Sequence, residues 1–90
     1  MPKHPTKIEN YDGDLQQLAN ELVDLRYDAL SEFLEYLSKK MEKDSLADKS
    51  RNRNQLANHL KNTSVSLKES SKSIAKAWKI CEPFMDKKEV

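Results

Sequence analysis

The single cysteine of the chain, Cys81, is the first candidate for nucleophilic or redox chemistry. A reactive thiolate needs a neighbouring base or positive charge, yet no histidine adjoins Cys81, and Glu82 beside it is acidic. The negative end of a helix dipole disfavours the thiolate further. One cysteine cannot form a disulfide within the chain, which fits a reducing compartment. The sequence therefore predicts a small buried apolar residue here.

The histidines and carboxylates predict no metal or acid–base site. His59 has no histidine, cysteine or carboxylate three or four residues away, the spacing that places two ligands on one helix face. His4 lies between prolines near the N-terminus. A chain with one glycine cannot build a Gly-rich phosphate loop. We therefore expect a protein that is not an enzyme and that takes no cofactor and no metal.

A row of lysines in the C-terminal half is a candidate surface for an anionic partner. Steps of three, four and seven residues place its members on one side of a helix, and they are Lys61, Lys68, Lys72, Lys76 and Lys79. Such a row can follow nucleic-acid phosphates or an acidic protein surface, or it can be an ordinary solvated face. No aromatic or arginine side chain is interleaved with it for stacking. Nucleic-acid binding is therefore kept as the alternative function.

Arg26 falls within the apolar side of the first helix that the sequence predicts. An unpaired charge there is costly, so the guanidinium needs a partner or water. If the chain turns back at Asp44-Ser45, Arg26 lies against Asn62, Thr63 and Ser64. The oxygens of these three residues can accept its hydrogen bonds. We expect these four residues to form a polar layer that fixes the helix register. A carboxylate or phosphate of a partner is the second interpretation, and extension of the side chain to water is the third.

Opposite charges are segregated along the chain. The formal net charge is +1, but residues 14–37 carry −5 and residues 45–81 carry +6. The overall balance argues against the strongly basic composition of proteins that live on nucleic acid or anionic membranes. Complementary charge is typical of two helices that pair with each other. A basic face that awaits an acidic partner is the other interpretation.

The first half of the chain predicts an arm followed by a long helix. Residues 1–13 have no apolar periodicity and contain the turn Tyr11-Asp12-Gly13. Asp14 and Gln17 have the spacing of a capping box, which marks a helix start. From Leu15 to Met41 the apolar residues fall in an arc about 180° wide, with acidic residues and Ser31 on the opposite half. This pattern predicts a helix over about residues 14–43.

The second half predicts another helix. Ser45 and Asp48 repeat the capping spacing, so the chain is expected to turn at Lys43-Asp44. Apolar residues, with Ser64 and Ser71 among them, then follow an arc about 120° wide until Pro83, which disfavours helix at the residue before it. This predicts a helix over about residues 46–82. The sequence leaves open whether it is continuous through 48–55 and 62–66.

Together these elements predict an all-α fold of one domain over residues 14–85, with a short tail at 86–90. One glycine and three prolines are too few turn residues for an all-β fold. Two helices and a tight turn form a long antiparallel hairpin. With its midpoint at Asp44-Ser45, residue i faces approximately residue 89 − i, which sets Phe33 near Leu56. A three-helix bundle, with a break near Asn52 or Thr63, is the alternative.

The two helices differ in the width of their apolar arcs, which predicts self-association. A hairpin of 90 residues in two helices cannot enclose a core alone, and an uncovered apolar stripe needs a partner. Pairing two hairpins into a four-helix bundle would cover it. The residues expected at the dimer surface are Leu18, Val23, Leu25, Leu30, Leu34 and Met41.

The expected function is that of a small non-enzymatic interaction protein, an adaptor or regulator that acts through a helical bundle surface. Its expected partners are a second copy and an unidentified protein. No apolar run approaches the length of about 20 residues that a spanning helix needs, so we expect no membrane partner and a cytoplasmic location.

Overall fold

A computed structural model describes residues 4–88 of the chain, with side chains through Phe84. This part of the chain contains three α-helices, α1 (Leu15–Val23), α2 (Tyr27–Ser50) and α3 (Asn54–Lys88), and no strand. The predicted all-α class is confirmed. The capping box at the start of α1 is also present, since the Asp14 carboxylate accepts the Gln17 N–H at 2.8 Å and the Gln17 side chain accepts the Asp14 N–H at 2.9 Å.

The predicted single helix over 14–43 is wrong, because α1 ends at Val23 and α2 begins at Tyr27. Arg26 between them has an extended backbone with ψ of 141°. Asp28 favours the new start, because its carboxylate accepts the Ala29 N–H at 2.8 Å and places a negative charge in the first turn. A local side-chain interaction thus overrides an apolar periodicity that runs through the break.

The turn of the hairpin lies at residues 51–53, not at the predicted Lys43-Asp44. Asn52 has φ of 64°, the left-handed conformation that asparagine tolerates better than most residues. The Arg53 N–H donates to the Asp48 carbonyl at 2.9 Å and closes the turn. The break proposed near Asn52 is therefore present. The capping spacing of Ser45 and Asp48 is misleading, since both residues lie inside α2 and are buried.

Serine side chains connect α2 to α3 at every seventh residue. Ser38 donates to the Ser64 carbonyl at 2.8 Å, and Ser64 donates back to the Ser38 carbonyl at 3.0 Å. Ser31 and Ser71 form the same reciprocal pair at 2.9 and 2.7 Å. Ser45 donates to the Ala57 carbonyl at 2.7 Å. We call these three pairs the serine ladder.

The serine ladder fixes the register of the hairpin. In each pair the residue numbers add to 102, so the predicted pairing at 89 is wrong and Phe33 does not face Leu56. Small side chains allow two helix backbones to approach until a hydroxyl of one reaches a carbonyl of the other. Ser38, Ser45, Ala57, Ser64 and Ser71 are consequently the most buried positions of the seam, together with Leu30 and Asp48.

The helix α3 begins and ends later than the predicted helix over 46–82, at Asn54 and Lys88, and it is continuous. It runs without a break through residues 62–66 and past Pro83 to Lys88. The expected end before Pro83 is therefore wrong, and the backbone of the expected tail at 86–90 is helical through residue 88. Residues 89–90 of that tail and residues 1–3 of the arm lie outside the described residues.

The three helices do not form a compact three-helix bundle. The helices α2 and α3 pack together along the hairpin, whereas in the described chain no Cα of α1 lies within 8 Å of one in α3. The molecule measures 52 × 29 × 14 Å between Cα extremes. Within the described residues, none of the helices is long and apolar enough to cross a membrane.

Candidate interaction surfaces

One face of the hairpin carries acidic residues on α2 and basic residues on α3. Glu42 and Lys61 mark it, because their side chains form an ion pair at 3.6 Å across the two helices. One heptad further from the turn, Glu35 and Lys68 occupy the corresponding positions. Glu32 and Lys72 complete the set. Each lies one helical turn farther from the turn of the hairpin than Glu35 or Lys68. We call the surface of Glu32, Glu35, Lys68 and Lys72 the charged face.

The lysines of α3 beyond Lys61 form no ion pair with any described residue. All five lysines of the predicted row are exposed, but only Lys61 has an acidic partner within 4.0 Å among the residues that the structure describes. Lys76 and Lys79 extend the row toward the end of α3. Beyond Lys61 the row is therefore a solvated strip of positive charge that extends toward the open end of the hairpin, opposite the turn.

The acidic side of the charged face is only weakly neutralised within the molecule. Glu35 lies 3.7 Å from Lys39 in an exposed pair one turn away, a type of pair that contributes little energy. Glu32 accepts the Tyr36 hydroxyl at 3.3 Å. Because Glu35 and Lys68 flank the same seam, a polyanion bound to the lysines would also meet these carboxylates.

The charges near the turn are arranged differently, in close ion pairs. Lys40 binds Asp44 with both distances at 2.8 Å. The Asp48 carboxylate lies 3.4 Å from both Arg51 and Arg53. Within the described chain, the segregated and unpaired charges of the hairpin thus lie mainly toward its open end.

Arg26 is not part of a polar layer with Asn62, Thr63 and Ser64. It precedes α2, donates from Nε and Nη2 to the Asp28 carboxylate at 2.8 Å, and lies 5.1 Å from the Trp78 ring centroid. Ser64 pairs instead with Ser38, while Asn62 and Thr63 are exposed. The structure does not bring the four together, because the turn is later in the chain than predicted.

The ion pair between Arg26 and Asp28 changes the acidity of the carboxyl group. The hydrogen bonds from Arg26 hold the pKa of Asp28 below its ordinary value of 3.8, and the Ala29 N–H acts in the same direction. Arg26 also stacks over Trp78. This cluster attaches the connection between α1 and α2 to the C-terminal half of α3.

The residues expected at the dimer surface are not equally accessible. Leu30 is buried at 7% exposure, and Leu18, Leu34 and Met41 are half-buried. Only Val23 and Leu25 are exposed, at 59% and 40%. The structure therefore does not present these six residues as one open stripe, and a charged substitution at Leu30 would disrupt the hairpin itself.

Other large apolar side chains are exposed instead. They are distributed over all three helices, and those of the hairpin are Phe33, Tyr36, Leu46, Leu56, Val65, Ile80 and Phe84. The face opposite the charged face holds a groove lined by Met41, Leu56 and Leu60, which His4 of the arm also borders. The arm thus reaches that face of the hairpin near the turn.

The N-terminal arm is folded onto the start of α1. The Tyr11 ring packs against Gly13 so closely that a Cβ at Gly13 would lie 2.7 Å from it, which explains the one glycine of the chain. Partial burial raises the pKa of Tyr11, and its hydrogen bond to Glu21 raises it further. These contacts hold the arm against the start of α1.

The residues considered for catalysis and metal binding are dispersed. Cys81 is half-buried and lines a groove with Leu25 and Tyr27. His59 is exposed, and its carbonyl accepts the Thr63 hydroxyl. In residues 4–84, no three His, Cys, Asp or Glu side chains come together to hold a metal ion.

The serine ladder is the feature that sequence reasoning missed. Its signal is visible in the sequence, since Ser31, Ser38 and Ser45 recur every seven residues, as do Ala57, Ser64 and Ser71. The apolar periodicity hides it, because that pattern places Ser31 on the solvated half and Ser45 at a helix cap. Comparison with known proteins adds nothing to these observations: no family model, no curated protein and no solved structure matches this chain.

Proposed function

We propose that this chain is a non-enzymatic interaction module that acts by pairing its single helical layer with a second layer. The observation that carries the proposal is the small apolar core: among the described residues the buried apolar side chains are Leu30 and Ala57, whereas eleven large apolar side chains are exposed. Domains are normally built from at least two packed layers, because each helix has an apolar stripe to bury. Here the two long helices bury small side chains against each other and leave large ones outside.

The accessible surface supports the same proposal. The chain exposes 7529 Å², whereas a compact monomer of 10.4 kDa would expose about 5,400 Å². A specific interface removes about 800 Å² from each partner. The surplus is large enough for such an interface. A second copy of the chain is the proposed first partner, which gives a bundle with two hairpins, and a different protein is the proposed second one.

Multi-angle light scattering on a gel-filtration column tests the proposal. At about 0.1 mM protein and low salt we expect an eluting mass above 10.4 kDa that decreases on dilution, as mass action requires. A mass of 10.4 kDa at every concentration would contradict self-association. Capture of a heterologous partner would then be the remaining form of the proposal.

Nucleic-acid binding through the lysine row is the second candidate function. The lack of ion pairs at Lys68, Lys72, Lys76 and Lys79 among the described residues favours it, and the carboxylates on the same face oppose it. Fluorescence anisotropy with a labelled single-stranded RNA and with duplex DNA tests it. Binding that falls steeply with salt and disappears on charge reversal of Lys68 and Lys72 would support this candidate.

A further inference from the structure

We infer that the charged face is the surface through which two copies pair, with their open ends together and a two-fold axis parallel to α2 and α3. This inference rests on the proposed self-association and adds the face, the orientation and the residues that select them. Its basis is the match between the lysines of one copy and the glutamates of the other.

The register of the serine ladder gives the height of each charge along the hairpin. Residues whose numbers add to 102 lie at the same level. By this rule Lys68 is one residue from the level of Glu35, and Lys72 is two residues from the level of Glu32. One residue corresponds to about 1.5 Å along a helix, which is within the reach of a lysine side chain.

A two-fold axis parallel to the helices preserves these levels. It lays α2 of one copy on α3 of the other, so that Glu35 faces the partner's Lys68 and Glu32 faces the partner's Lys72. Symmetry repeats both contacts, and the interface gains four ion pairs. Each is modest alone, but complementary potentials of this kind steer association and fix orientation.

The opposite orientation lacks this complementarity. A two-fold axis perpendicular to the helices and within the interface would lay α3 of one copy on α3 of the other. The lysine row of each copy would then face the basic helix of its partner, and the contacts of the glutamates with these lysines would be lost. Like charges would meet across this interface, so the charge pattern selects the arrangement with open ends together.

Charge exchange between two variants tests the pairing directly. We compare Lys68→Glu/Lys72→Glu with Glu32→Lys/Glu35→Lys, each alone and as an equimolar mixture, by sedimentation equilibrium in 50 mM NaCl. Each variant alone brings like charges together, so we expect its self-association to weaken by about tenfold or more. The mixture restores all four attractive contacts, and we expect a heterodimer of about wild-type strength.

The matched control is Lys43→Glu/Lys49→Glu, which reverses two exposed lysines near the turn and should not weaken association. Circular dichroism melts show whether each variant folds, and the recovery in the mixture cannot come from folding alone. Wild-type-like association of both single-sign variants would overturn the inference while leaving self-association intact. A monomeric wild-type chain at low salt would instead overturn the proposed function.

The distance between two spin labels in the dimer tests the orientation separately. A spin label at Ser50→Cys, in a Cys81→Ser background, marks the end of α2 near the turn. With open ends together, the two labels of a dimer lie about 30 Å apart or less, because adjacent helices pack 8–10 Å apart. A distance of about 40 Å or more, the length of the hairpin, would show the opposite orientation and overturn the inference.

Discussion

The serine side chains of the seam determine how closely α2 and α3 approach. In most helical hairpins a larger apolar residue at such a position adds stability, because it buries more surface. Ser38 is different, since its hydroxyl donates to the Ser64 carbonyl at 2.8 Å and leaves no space beyond it. Ser38 therefore matters first because its small side chain lets the two helices approach closely. Its hydrogen bond is the second contribution.

Substitutions at Ser38 separate these two roles. Ser38→Ala removes a hydrogen bond and should lower the free energy of unfolding by about 0.5–1.5 kcal/mol. Ser38→Leu forces the helices apart and should lower it by about 1–3 kcal/mol or more. Urea unfolding followed by circular dichroism measures both. A leucine variant more stable than the alanine variant would contradict the close packing.

Asp28 predicts a pH dependence of stability. Its pKa is lowered in the folded state by Arg26, so the folded state prefers the ionised form. This contribution is complete above the ordinary pKa of 3.8 and is lost as the pH falls through the lower folded value. Asp28→Asn should therefore reduce the loss of stability on acidification below about pH 4. Equal acid sensitivity of both proteins in thermal melts would exclude this role.

At the scale of elements, Asn52 determines where α2 ends. Its φ of 64° is favourable for glycine, tolerable for asparagine and unfavourable for alanine. Asn52→Ala should destabilise the protein by about 1 kcal/mol, whereas Asn52→Gly should leave its stability nearly unchanged. Thermal unfolding of the three proteins gives the order. Equal stability of the Ala and Gly variants would contradict a left-handed turn at this position.

The sequence predicted the helices better than their boundaries. The capping box at Asp14 and the apolar periodicity of both halves correctly indicated helical structure. The break before Tyr27 depends on the hydrogen bonds of Arg26 and Asp28. The apolar periodicity continues through these residues, so the sequence pattern does not reveal the break. The turn at Asn52 was only the alternative prediction, because the sequence also offers a capping signal at Ser45. In the structure the Ser45 hydroxyl donates to the Ala57 carbonyl across the hairpin and caps no helix.

At the scale of the whole molecule, these boundaries decide which charges share a level. A turn at Asn52 rather than Asp44 moves the register by 13 residues, from 89 to 102, and brings the levels of Glu35 and Lys68 together. The sequence alone identified the lysine row and the acidic half. It could not relate them, because their juxtaposition depends on the turn and on the close approach that the serines allow.

The central claim is that this helical hairpin associates with a second copy. Sedimentation equilibrium of the wild-type chain from about 5 to 500 µM in 50 mM NaCl tests it most directly. We predict a mass that increases with concentration from 10.4 kDa toward twice that value, and that returns toward the monomer in 500 mM NaCl because salt screens the charged face. A mass that stays at 10.4 kDa throughout the low-salt series would contradict the account.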